Sequence, residues 1–224
     1  LSTSVVPTMT TVQVQAIETT DIAALSTSQV RSLNTAQVSV LSTDQIAALS
    51  ASAVAALSST QIGALTSAQL VAMIPSMSTT QIAALTTAQV VALSTAQIVA
   101  LTTAQIRALS TSAVAALTTD QVAAIETRDL AVMTTTQIRA LTTADIQVLS
   151  TDQEAALTTL QVSSLTSTQL QALTTDAVVA LSTAQIRALS TTAISALTTT
   201  QVQAIETQDF AALTTNQFRS LISV

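Results

Sequence analysis

The chain has 224 residues, six basic and twelve acidic side chains, a formal charge of −6, and neither cysteine nor histidine. That composition excludes disulfides, thiol nucleophiles, imidazole bases and the usual zinc ligands. It also lacks the basic field that nucleic acid requires, and the six arginines are too scattered for an anionic membrane surface.

Half of the residues are apolar, yet only Phe210 and Phe218 are aromatic and charged residues make up 8%. Hydroxyl side chains interrupt every apolar stretch, so no run of about 18 apolar residues exists and no membrane span is expected. The chain starts in mid-pattern at Leu1 with no basic start or long apolar core, and reads as a piece of something longer.

An eight-residue unit repeats along the chain. Nine octads run from 1 to 72. A four-residue insert, Met73-Ile74-Pro75-Ser76, breaks the phase. Residues 77–224 hold eighteen more octads and a partial one, within one continuous solenoid. LTTAQIRA (101–108) is a typical unit. The first position is Leu, with Met or Ile in six units. The second is Ser or Thr in 23 of 27. The fifth is Gln in 18 and Asp in four, and the sixth is apolar in all but one. The eighth is small, while the fourth and seventh vary freely and are expected to face solvent.

A single long helix does not fit this period. Eight residues at about 100° each leave a drift of about 80° per unit, so no straight seam or coiled coil forms. A β-solenoid fits poorly, because regular tight turns need Gly, Asn or Asp and Gly63 is the only glycine. Ala and Gln are also weak strand residues.

The restricted positions are explained by S/T-x-x-Q, a capping box flanked by the apolar pair of a hydrophobic staple. Each octad then starts its own helix, of about two turns or ~9 Å. Helices this short are unstable alone and must stack. The expected fold is all-α: a tightly wound α-solenoid with one very short helix per octad and nearest-neighbour energetics. Pro75 predicts a kink, bulge or phase change, and Pro7 an irregular first unit.

Three segments share a longer signature: 17–32, 125–140 and 205–220. They carry Glu18, Asp21 and Arg31; Glu126, Asp129 and Arg139; and Glu206, Asp209 and Arg219. These are candidates for a recurring ion or ligand site, or are helix-start acids with surface ion pairs worth at most about 1 kcal/mol. Glu154 breaks the apolar sixth position; it marks a pocket, turns out to solvent or is a tolerated defect in a redundant array. The Ser/Thr rows are either an ice- or glycan-binding ladder or are used up in caps. No catalytic constellation is visible, since the acids are isolated and no base or nucleophile stands near them. The acids are also too sparse for calcium. No catalytic, metal or cofactor residue is therefore assigned.

The strings ALTTAQIRALST (100–111) and AALTTAQVVALSTAQIVAL (83–101) resemble octapeptide-repeat regions of very large bacterial secreted or surface proteins, often described as haem-utilisation or adhesion proteins. The resemblance covers essentially the whole chain. It implies an extracellular or cell-surface location and a role as spacer, adhesin stalk or filament-forming element. With His, Cys and Tyr absent, no haem cofactor is expected. The expected partners are other copies of the chain, end to end, and a surface or glycan.

Overall fold

The computed structural model describes residues 2–221, apart from the side chains of residues 59 and 67. The chain divides into two compact units, Leu1–Ala116 and Leu117–Val224. Among the described residues there are 26 α-helices and two three-residue 3-10 helices, with no strand. Each unit is a solenoid of stacked short helices.

Helix starts follow the octad. Position two is the N-cap, in extended conformation, and the helix begins at position three. Thr102, at φ −70° and ψ 155°, caps Thr103–Ala108 in this way. Its hydroxyl accepts from the Gln105 backbone N–H, while Gln105 Oε1 accepts from the Thr102 N–H at 2.8 Å. The same reciprocal box forms at Asn34 with Gln37 and at Thr142 with Asp145. Octads with Ala at position five keep only the first half of it, as at Ser50, Ser110, Thr174 and Ser190.

The helices are four to seven residues long, closer to one and a half turns than two. Positions one and two explain the shortfall. Leu49 (φ −60°, ψ 132°) and Ser50 (φ −62°, ψ 155°) are both extended, and together they turn the chain into the next helix. Such a corner needs no residue at positive φ, and none of the described residues has one. This is why one glycine suffices for the whole chain.

The apolar first and sixth positions form the core. Leu101 and Ile106, or Leu141 and Ile146, are all within 3% of full burial. Burial of each such side chain is worth roughly 1.5–3 kcal/mol. Helices stack three octads apart: Thr19–Ala23 on Thr43–Ala48 on Ser67–Met73, and in the second unit Thr135–Ala140 on Thr159–Ser164 on Thr183–Ala188.

Residues 73–76 occupy a place in this stack. Met73 and Ile74 are buried, and Ile74–Ser76 is a 3-10 turn with Pro75 inside it. Gln105 donates to the carbonyls of Ile74 and Met77, the acceptors that sixth and first positions supply elsewhere. The segment thus holds an octad's station with the cap and first helical turn left out. Val6-Pro7-Thr8 forms the same kind of 3-10 turn around a seventh-position proline.

Loss of a single cap should be modest. Thr158→Ala removes the acceptor for the Gln161 N–H, 3.2 Å away. We expect a loss of about 1 kcal/mol, read as a lower urea midpoint; no shift would mean that caps do not limit stability here.

Candidate functional site

The most heavily used polar group of the repeat is the fifth-position Gln. Its Oε1 closes the capping box. Its Nε2 reaches into the preceding coil, donating to the main-chain carbonyls of a sixth and a first position. Gln37 donates to Val6 and Met9, 31 and 28 residues back, both at 2.8 Å. Gln169 does the same to Ile138 and Leu141, and Gln201 to Leu170 and Leu173. One coil therefore takes between three and four octads. Across 73–76 the spans drop to 27 and 24 residues, as for Gln89 to Ile62 and Leu65. The first-position carbonyl follows an extended residue and lies outside any helix, so these amides supply a buried acceptor with a partner.

Sequence reasoning assigned the Gln to the box and missed its other half. A signal was present. Glu closes a capping box as well as Gln does, yet no octad has Glu at position five. The preference for Gln over Glu, 18 octads to none, points to a use for the amide's donor, which the four Asp and four Ala octads do without.

The three acidic signatures do not assemble a common site. Glu18, Glu126 and Glu206 are N-caps whose side chains make no cap bond. Asp129 and Asp209 are buried in the Gln slot, whereas Asp21 is exposed. Asp209 accepts from the Thr183 hydroxyl of the preceding coil, at 2.5 Å. Arg31 donates to the Ala56 carbonyl, 25 residues on, so it ties one coil to the next. Arg139 is exposed. Arg128, which lies outside the signature's three charges, pairs with Glu126 at 2.5 Å and Asp129 at 3.6 Å. Glu126 and Arg128, with Ser150, Asp152 and Gln153, line a shallow groove of about 450 Å³. No group of three or more potential metal ligands exists among the described residues.

Of the hydroxyl rows, the second-position one is internally bonded, while the third-position one is mostly exposed. Second-position hydroxyls serve as caps, and several also pair with the fourth-position hydroxyl, as in Thr134 with Thr136 and Thr166 with Thr168.

Glu154 does not turn out to solvent. It is 1% exposed, and its Oε1 has no hydrogen-bond partner. Its helix, Thr151–Ala156, carries it inward at the sixth position, which is apolar in every other octad. Burial, and then the negative charge of Asp176, raise its pKa from 4.5 to about 7.

No helix among the described residues is long and apolar enough to cross a membrane. A family model described as the ALTTAQ repeat matches residues 14–51, 46–75, 74–103, 95–124, 122–159 and 175–204. No curated protein and no solved structure matches the chain.

Proposed function

The chain belongs to the ALTTAQ repeat family, and on that premise we propose that it is a spacer or stalk region of a bacterial surface or secreted protein. It is a non-catalytic, all-α repeat scaffold. One observation carries the reading: the capping hydroxyls and the fifth-position amides of the octad are consumed in holding the coil together. Cap hydroxyls and fifth-position amides bond to backbone, as at Thr158 with Gln161 and Gln161 with Leu130 and Met133. What is left for solvent is the freely varying fourth and seventh positions and the third-position row, which is Ser or Thr in 26 of 27 octads. A scaffold of this kind tolerates change in length and surface while keeping its core.

Self-association fits the same picture. In the 224-residue chain, Met9, Ile17 and Leu25 are only half-buried, where later coils cover their equivalents. A second copy, or further octads of a longer chain, fills such a face by the bonding that joins successive coils. We expect sedimentation of the purified chain to give concentration-dependent association; a monodisperse monomer at high concentration would contradict it.

The spacer reading is tested by replacing exposed third- and fourth-position Ser and Thr with Ala, Glu and Lys, leaving the caps intact. In the parent protein at the cell surface, display and attachment should survive these changes. Their loss with the fold intact would instead favour a hydroxyl ladder acting on glycan or ice.

A further inference from the structure

We propose that Glu154 makes the contact between the stacked octads 149–156 and 173–180 a proton-controlled seam, closed while its carboxyl is protonated and loosened when it ionises. The proposal rests on what surrounds the side chain. Helix Thr151–Ala156 packs on Thr127–Leu130 and Thr175–Ala180. An ionised carboxylate at 1% exposure needs a donor or a cation. The second of these helices has Ala177 at position five, so no amide stands there to donate. Gln185, on helix Thr183–Ala188, commits its amide to the main-chain carbonyls of Glu154 (3.4 Å), Ala155 (3.3 Å) and Leu157 (2.6 Å).

The charged groups on the surrounding elements do not help. Asp152 on the same helix, Asp145 on the preceding one, Asp129 below and Asp176 above are all acids. Arg128 is held by Glu126 and Asp129 and is largely exposed, and Arg187 lies at the free seventh position of its octad. Asp176 adds like-charge repulsion. The seam is also thinly tied. Ala177 occupies the slot from which a Gln would reach the carbonyls of Ile146 and Leu149, by the 31- and 28-residue spans seen at Gln153 and Gln169. Ionisation therefore meets the coil where one inter-coil amide is missing, and opening is the available route to water.

The chain has no histidine to titrate in the same range. Proton linkage gives the direction. A carboxyl that binds its proton more tightly in the closed state favours opening as pH rises from its ordinary value to its raised one.

The test is amide hydrogen exchange of the full chain at pH 5 and pH 8, corrected for intrinsic rates. For amides of 150–157 and 174–181 the opening equilibrium should rise on the order of 50-fold. Glu154→Gln and Glu154→Ile should both abolish the rise, and Asp176→Asn should move its midpoint to lower pH. Constant wild-type protection would overturn the proposal, as would an equal rise in both Glu154 variants.

Discussion

Gln169→Glu is expected to destabilise the second unit by about 3–5 kcal/mol at pH 8, although it changes little more than one atom. Glu retains an oxygen for the Thr166 N–H, which Gln169 Oε1 accepts at 3.0 Å. The capping box should therefore survive. The other terminal atom is the problem. Nε2 donates at 2.8 Å to the carbonyls of both Ile138 and Leu141, and the side chain is buried. A carboxylate oxygen there faces two acceptors, without a counter-charge, in a site closed to water. The protonated acid can donate to one of the carbonyls. The folded-state pKa of the new carboxyl is thus expected above its unfolded value. Most of the loss should then appear as pH rises through that interval and recede as pH falls. Gln169→Ala should cost less, about 2 kcal/mol, since it leaves acceptors unpaired without burying charge. The native octads with Ala53, Ala113, Ala177 and Ala193 at this position indicate that single omissions are tolerated. Denaturant titration at pH 5 and pH 8 measures both variants. If Glu proves no worse than Ala at pH 8, the amide is not the tie between coils.

Glu154→Ile should act in the opposite direction, raising stability by about 3 kcal/mol or more at pH 8. The carboxyl pKa lies at about 7 in the folded chain against its ordinary value of 4.5. At 1.36 kcal/mol per unit, this corresponds to about 3 kcal/mol. The folded form holds the proton more tightly, so wild-type stability is highest below pH 4.5. It declines between pH 4.5 and 7 and stays low above. Ile is the residue at the same position in the octads of Ile138, Ile146 and Ile186, all fully buried. The substitution removes the titrating group and adds apolar burial, so a smaller gain of about 1 kcal/mol should remain at pH 4. Unfolding midpoints across pH 4–8 give the comparison. An equal advantage at both ends would mean that Glu154 escapes its buried position in solution.

Much of this architecture was legible in the octad because its determinants are local. A cap hydroxyl, a fifth-position side chain reaching back three residues and a flanking apolar pair all act within one unit. The capping box at Ser42 and Gln45 is the motif as read from sequence. The coil was not legible, because it depends on where Gln45 Nε2 meets the carbonyls of Val14 and Ile17, 31 and 28 residues earlier. Helix length was overestimated for a related reason. Spacing alone does not disclose that the first position joins the second in an extended corner. For the acidic signatures a shared site and helix-start acids were both open, because recurrence in sequence does not disclose which charges meet in space. Arg31 instead spans to Ala56, and Asp209 takes the slot of a Gln. For Glu154 a pocket, an escape to solvent and a tolerated defect were all open, and only the packing of the surrounding octads decides that the side chain stays inside.

The most direct test of the central claim, that fifth-position amides tie each coil to the one before it, is exchange of the Gln side-chain amide protons by 15N NMR. Gln15, Gln147 and Gln203 lie outside the fifth position and serve as internal controls. We expect Gln45, Gln69, Gln153, Gln161, Gln169 and Gln201, which are buried and bonded to the preceding coil, to exchange far more slowly than these controls. Exchange of both groups at the same rate would contradict the claim.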